Sequence, residues 1–374
     1  MEKMKILEVI SSLAPTGGGE TFAVNLSREL SSQINLKVVI LYQKNRDFFI
    51  ERLKEKKIEP IILNKKGHVD LKNTRDLRKI IDDFAPDIIH TENNALISTF
   101  LALRKTKHRR KLHVFHTMHL IPEEECKHPL VRMMYKYIFR KKNYVPVAIT
   151  KRLAEISSKF YRRSFVPFVN NGVELSPFNN HIKLEKREYD IVVVGRFSVE
   201  KNHKFLIPAF AKLKESIPNL KVALVGDGEM FNEALALAKA LKTTEYMEFK
   251  GILNNPAEVV NDAKVIALGS LFEANPLSLI EGMSSGCIVV SSDVGGVADI
   301  IQEGKNGFLF PVNEEEKFIA ILKKVLKNIS NYETMSSYNR KYSQQFSMKK
   351  CANDYIELFR NYEKNIAKPR QKLG

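Results

Sequence analysis

The chain has 374 residues, 44% of them hydrophobic, and its 60 Lys+Arg against 43 Asp+Glu give a formal net charge of +17. That length allows two domains of ordinary size, each with its own core, and excludes a disordered chain or a small disulfide-stapled fold. No apolar run approaches the roughly 18 residues of a membrane helix, Met4 to Ile10 runs straight into a strand pattern without a signal-peptide layout, and Cys126, Cys287 and Cys351 are too few and too scattered for a disulfide framework or a cysteine zinc site, so a cytoplasmic protein is expected.

The charge calls for an acidic partner: nucleic acid, anionic lipid or a phosphorylated ligand. It is concentrated, since 17 of the Lys and Arg residues lie between Leu101 and Arg163 against four acids. No nucleic-acid motif is present and there is no Trp for stacking, which sets nucleic acid aside as the weaker alternative.

In chain order, strand Ile6 to Ile10 leads through Ser11 to Glu20 into a helix carrying Phe22, Leu26 and Leu30. Gly17, Gly18 and Gly19 lie between them, where backbone amides can approach a phosphate closely, although the spacing is neither a dinucleotide fingerprint nor a P-loop. Strand-like Leu36 to Tyr42, Glu59 to Leu63, Asp87 to His90 and Lys111 to Phe115 alternate with helical stretches, which predicts a parallel sheet covered by helices. His90 and the triplet His113, His116 and His119 fall at or after strand ends, on the edge where such sheets bind ligands. A zinc site from the triplet is not expected, because strand residues three apart point to opposite faces.

Pro129 to Lys142 reads as a helix with Leu130, Met134, Tyr137 and Ile138 on its apolar face and Arg132, Lys136 and Arg140 in a stripe on the other. With Arg109, Arg110 and Lys111 this stripe is a candidate contact with anionic lipid. The polar, aperiodic stretch Ser176 to Glu188 marks the domain boundary, giving a first domain of residues 1–180 and a second of 189–346.

The second domain opens like the first. Strand Ile191 to Val194 precedes a loop, Gly195-Arg-Phe-Ser-Val-Glu-Lys201-Asn-His, and a helix with Phe205, Leu206 and Phe210. Arg196 can fork onto phosphate oxygens and Lys201 can add a point charge, together offsetting a diphosphate that otherwise needs a metal. Val222 to Gly228 and Met247 to Ile252 supply two more strands and loops. The stretch Val265 to Val290 is strand, loop, short helix, strand, with Pro276 placed as the first helical residue. Its loop from Ser270 to Asn275 lies past a strand's carboxyl end, and the amides around Leu277 and Ser278 form a helix N-terminus suited to an anion. Glu273 and Glu281 flank that N-terminus, placed to accept hydrogen bonds from two hydroxyl-bearing parts of one ligand.

Two glutamates with seven residues between them, in Ser-Leu-Phe-Glu273-Ala-Asn-Pro-Leu-Ser-Leu-Ile-Glu281-Gly, together with Gly195-Arg-Phe…Glu-Lys201-Asn, resemble the donor-site signatures of family 4 retaining glycosyltransferases of the GT-B fold. The resemblance is strong over the second domain and weak over the first. It implies an α/β chain of two Rossmann-like, doubly wound domains facing across a cleft, with a C-terminal helix at 347–365 crossing back to the first.

It further implies transfer from a UDP- or GDP-sugar to a sugar or lipid-linked acceptor, in a bacterial surface-polysaccharide setting, with no metal or other cofactor. In those terms Arg196 and Lys201 hold the diphosphate, Glu281 the ribose and Glu273 the donor sugar. Gly17 to Gly19 approach the phosphates from the first domain, and Gly251 and Ile252 meet the base through backbone groups. A strand-end histidine faces the transferring sugar; two registers are open, and His119 is preferred to His116. The glutamate pair is not a glycosidase dyad, whose carboxyls flank the scissile bond at about 5–5.5 Å. A sugar-nucleotide epimerase or a phosphorylase on the same fold is the alternative.

Overall fold

Runs of buried β-branched and leucine side chains, bounded by polar turns, build two six-stranded parallel sheets. The computed structural model describes residues 3–13, 18–42, 47–64, 70–107, 112–273 and 275–367. One unit comprises Met1–Gly172 and Met348–Gly374, the other Val173–Ser347. In the first, β1 (Lys5–Ser12), β2 (Asn35–Tyr42), β3 (Ile61–Ile62), β4 (Ile88–Glu92), β5 (His113–Met118) and β6 (Tyr144–Ala148) are ordered β3-β2-β1-β4-β5-β6. In the second, β7 (Tyr189–Val194), β8 (Val222–Val225), β9 (Met247–Gly251), β10 (Ala263–Leu268), β11 (Ile288–Ser292) and β12 (Gly307–Phe310) are ordered β12-β11-β10-β7-β8-β9.

Both orders wind outward from the unit's first strand and then back past it, the doubly wound arrangement. Its crevice opens at the carboxyl ends where the winding reverses, between β1 and β4 and between β7 and β10. Each sheet is buried on both faces. In the second unit Val193, Leu206, Phe210 and Phe318 fill one side and Val192, Ile266, Leu279 and Met283 the other.

The last helix, Met348–Ala367, belongs to the first unit. Its Tyr355, Phe359 and Tyr362 pack on Phe115 of β5, with the Phe115 and Phe359 rings 4.8 Å apart. The handover between units falls at Gly172, ahead of the polar stretch Ser176 to Glu188 that the sequence marks as a link. That stretch is part of the second unit: Val173, Leu175 and Phe178 are buried with Val192, Leu184 joins the opposite core, and the buried Arg187 donates to the carbonyls of Ala263 at 2.8 Å and Ser285 at 2.7 Å. Its apolar residues follow no helical or strand period, so their burial leaves no trace in the sequence pattern.

Two further expectations shift. Strand β4 runs on to Glu92 and β5 spans His113–Met118, so His90 and His116 lie within strands and are buried rather than at their ends. The helix Pro129–Phe139 buries Tyr135, Ile138 and Phe139, while Leu130 and Tyr137, expected in the core, are exposed together with Met133. That helix carries two apolar stripes, and packing on His116 and Tyr161 selects the one through Tyr135 and Phe139.

Candidate active site

In the second unit the crevice is built by the loops after β7 and β10. The side chain of Lys201 lies along Gly195, its Cε 3.4 Å from where a Cβ there would sit, and reaches the carboxylate of Glu273. Lys201 Nζ donates to Glu273 Oε1 at 2.5 Å, and Ser270 Oγ donates to the same oxygen at 2.6 Å. Ser270 is itself fixed by Ser292 Oγ, which donates to its carbonyl at 2.7 Å. Oε2 of the largely buried Glu273 has no hydrogen-bond partner among the described residues. Arg196 is exposed at the rim, and its ion pair among the described residues is with Glu229, at 3.3 Å. Such an exposed pair is worth little and frees the guanidinium readily for a stronger anion.

The loops after β7 and β8 touch backbone to backbone. Gly226, at φ +136°, brings its Cα so near the Gly195 carbonyl that a Cβ would lie 1.9 Å from that oxygen, which only glycine permits. Its N–H donates to Gly251 O at 2.8 Å, so the end of β9, where Gly251 and the exposed Ile252 sit, is tied to the same rim.

The helix Leu277–Ser284 starts one residue later than expected, with Pro276 as its cap at φ −74°, ψ 93° and no side chain capping it. Its first amides therefore stay available to an anion. Asn275, Leu277 and Ser278 are half-buried there. Glu281, one turn in, pairs with no cation among the described residues, and burial pushes its carboxyl up to about 7. A half-enclosed carboxyl without a partner is suited to hydroxyl donors.

The first unit contributes a second cluster. Gly17 lies outside the described residues; Gly18 opens the helix Gly18–Leu30 and faces open space. A Cβ on Gly19 would lie 2.7 Å from Asn93 Oδ1 and 3.5 Å from His119 Cδ2, so the glycine loop sits against the turn after β4 and the residue after β5. His119 Nε2 and Glu92 Oε2 share a 2.7 Å hydrogen bond, and the ring stands edge-on to Phe22. His116 is no counterpart to it: fully buried, it bonds Thr91 Oγ1 at 2.9 Å and packs on Tyr135 and Phe139, with no face open to a ligand. On a strand His116 and His119 cannot share a face, and only the residue beyond the strand end reaches the rim.

Residues 178–342 match the family Glycosyl transferases group 1, and residues 16–177 match Glycosyltransferase Family 4. The chain belongs to glycosyltransferase family 4. Among its relatives, the UDP-Gal:α-D-GlcNAc-diphosphoundecaprenol α-1,3-galactosyltransferase of Escherichia coli is 25% identical over 68% of this chain and 70% of its own length. A glycosyltransferase structure from Rickettsia africae superposes with a TM-score of 0.81 at 20% identity, over 98% of this chain and 100% of that one. HepE from Anabaena, solved with UDP and glucose, gives 0.77 at 18% identity over 96% and 100%. These likenesses establish the GT-B fold.

For this glycosyltransferase the sequence motifs thus gather into two sets, Lys201 with Glu273, Ser270 and the neighbouring Arg196 in one unit, and Gly19 with His119 in the other. Glu92, Asn93 and Glu8 are absent from the motif reading, and Ser270 enters it only as the start of its loop. Glu8 and Glu92 had a signal: each is an acid in a strand otherwise patterned for burial, Ile-Leu-Glu8-Val-Ile and Ile-Ile-His90-Thr-Glu92. Glu8, His90 and Glu92 bring ligand-type atoms within 4.8 Å of one another. Both His90 nitrogens already have partners, Glu8 Oε2 at 2.8 Å and Thr117 Oγ1 at 2.7 Å, so the group is a hydrogen-bonded row rather than a cation cage.

Proposed function

We propose that this glycosyltransferase transfers a sugar from a UDP- or GDP-sugar to a lipid-linked or saccharide acceptor of surface polysaccharide synthesis, retaining the anomeric configuration and using no metal. The observation that carries the reading is Lys201 held on Glu273 at the point where the second sheet's winding reverses. An ammonium group parked on the carboxylate expected to meet the sugar stands beside the bond to be broken. As the bond between the anomeric carbon and phosphate oxygen breaks, its electron pair moves to the diphosphate. Lys201 and Arg196 stabilise that charge. The acceptor hydroxyl attacks the anomeric carbon from the face being vacated, and its proton passes to the departing phosphate oxygen. Glu273 Oε2 accepts from sugar hydroxyls, Glu281 from the ribose, and the amides of Leu277 and Ser278 meet phosphate. The base lies by Gly251 and Ile252. The two cations offset the diphosphate, which supports independence from metal. The printed donor and acceptor of the Escherichia coli relative support a uridine nucleotide and a lipid diphosphate.

Calorimetric titration with UDP, GDP and ADP in excess chelator tests this. One nucleotide is expected to bind the wild type and to bind Arg196→Ala about tenfold or more weakly, on the scale of a lost charge-assisted hydrogen bond. Glu281→Gln isolates a pH effect. Because the raised carboxyl must ionise to accept from the ribose, wild-type affinity should rise about tenfold more than the variant's between pH 6 and 8. No binding of any nucleotide at millimolar concentration would end the assignment.

The same reading places the protein on the cytoplasmic face of a membrane. No helix among the described residues is long and apolar enough to cross one. The helix Pro129–Phe139 instead exposes Leu130, Met133 and Tyr137 beside Arg140, the combination that anchors at an anionic interface. Arg109, Arg110 and Lys111, assigned to the same patch from sequence, lie outside the described residues. Vesicles with anionic lipid should sediment the wild type at low salt. Leu130→Ser/Met133→Ser should bind roughly tenfold or more weakly, given about 0.8 kcal/mol per buried methylene. Equal partitioning to neutral vesicles would remove the electrostatic part of the idea.

A further inference from the structure

Glu92 ends β4 with its side chain fully enclosed. In the sheet register Glu8 of β1 lies opposite His90 of β4, and His90 and Glu92, two residues apart, share a face. Thr91 between them turns the other way and bonds His116. The row Glu8, His90, Glu92 lies under the returning helix, where Thr117 Oγ1 links His90 to Tyr355 through bonds of 2.7 and 2.8 Å. It ends at His119.

We propose that Glu92 is a positioning residue for sugar transfer: it grips His119 Nε2 and thereby leaves Nδ1 to the ligand. This rests on the reading of His119 as the histidine that meets the transferring sugar. Glu92 Oε2 takes His119 at 2.7 Å, while Oε1 lies 3.6 Å from His90 Nε2 and has no hydrogen-bond partner among the described residues. His119 Nδ1 has none among the described residues, and its side chain is 13% exposed. A wholly buried carboxylate costs several kcal/mol unless a cation or good donors face it, and a packing role at this spot is served better by an apolar side chain. The one side-chain hydrogen-bond partner Glu92 has among the described residues is the His119 imidazole.

The acids facing His119 come from three elements: Glu92 from β4, Glu125 from the short helix Pro122–Glu125, and Glu20 from the helix Gly18–Leu30. Burial pulls the imidazole's pKa down, and the charge and hydrogen bond of Glu92, together with the charges of Glu125 and Glu20, outweigh this, so the net shift is upward. Removing the Glu92 charge while keeping its shape should therefore lower the ring's pKa.

The test is NMR titration of the His119 ring in the full-length protein, wild type against Glu92→Gln, beside kcat and donor KM over the same pH range. The ring is expected to titrate about one pH unit or more lower in Glu92→Gln. kcat should fall about 10- to 100-fold, the usual effect of losing a carboxylate that orients a functional histidine, with donor KM changed less than about twofold. Glu92→Asp should recover part of both, and it carries the test if Glu92→Gln does not fold. An unchanged His119 titration, or unchanged kcat, overturns the proposal. The titration needs no substrate, so a protein inactive toward every nucleotide sugar would overturn the transfer reading while the grip on His119 is still decided by the ring.

Discussion

Lys201→Met is expected to lower kcat by about 10²- to 10³-fold, the loss that follows removal of one preorganised donor from a developing oxyanion. The magnitude follows from the position of the ammonium group, which is mostly enclosed and stands 2.5 Å from Glu273 Oε1. It costs little reorganisation when charge grows on the diphosphate. Arg196→Ala should cost less in kcat, because its guanidinium is exposed and competes with water and Glu229. Lys201→Met also leaves the buried Glu273 with Ser270 as its one side-chain hydrogen-bond donor among the described residues, so stability should fall by about 1–3 kcal/mol. The double variant Lys201→Met/Glu273→Gln separates the two effects: Tm should recover in it and kcat should not. A kcat within about twofold of wild type in Lys201→Met would show that this cation does not act on the leaving group.

The second large effect is structural. Gly295 follows β11 at φ +54°, and a Cβ there would lie 1.8 Å from the carbonyl oxygen of Glu273 and 2.9 Å from its carbonyl carbon. Gly296 N–H donates to that same carbonyl at 2.9 Å, so the turn after β11 holds the Glu273 backbone in place. Gly295→Ala combines left-handed strain with a backbone clash that no side-chain movement relieves. A loss of about 3 kcal/mol or more is expected, lowering Tm by on the order of 5–10 °C. Gly304→Ala is the control. Its φ is +73° but a Cβ there meets nothing within 4 Å, so only the conformational cost of roughly 1 kcal/mol remains. Equal Tm values in the two variants would mean that the loop near Glu273 yields to the added methyl.

The segments that border the second unit's crevice were legible because each is short and local. Gly195 to Lys201 and Glu273 to Glu281 each set a strand end, a loop and a helix start within a dozen residues or so, and cations and carboxylates placed there can only border the crevice. The alternation of apolar strands and amphipathic helices likewise dictated two parallel sheets, since such strands must be covered on both faces. Pairings between distant segments were not legible. Which apolar stripe of Pro129–Phe139 turns inward is settled by His116 and Tyr161, and the 2.7 Å grip of Glu92 on His119 joins residues 27 apart in sequence.

The sequence by itself therefore determined the fold class and the family, and marked the segments that border the crevice, because backbone periodicity and charge act over a few residues. Only the tertiary structure decided which histidine reaches the rim, where the chain passes from one unit to the other, and that a buried row of Glu8, His90 and Glu92 stands behind His119. Each depends on strand register and on the returning helix above it. Register is a property of pairs of strands, and a one-residue slip turns every side chain to the opposite face.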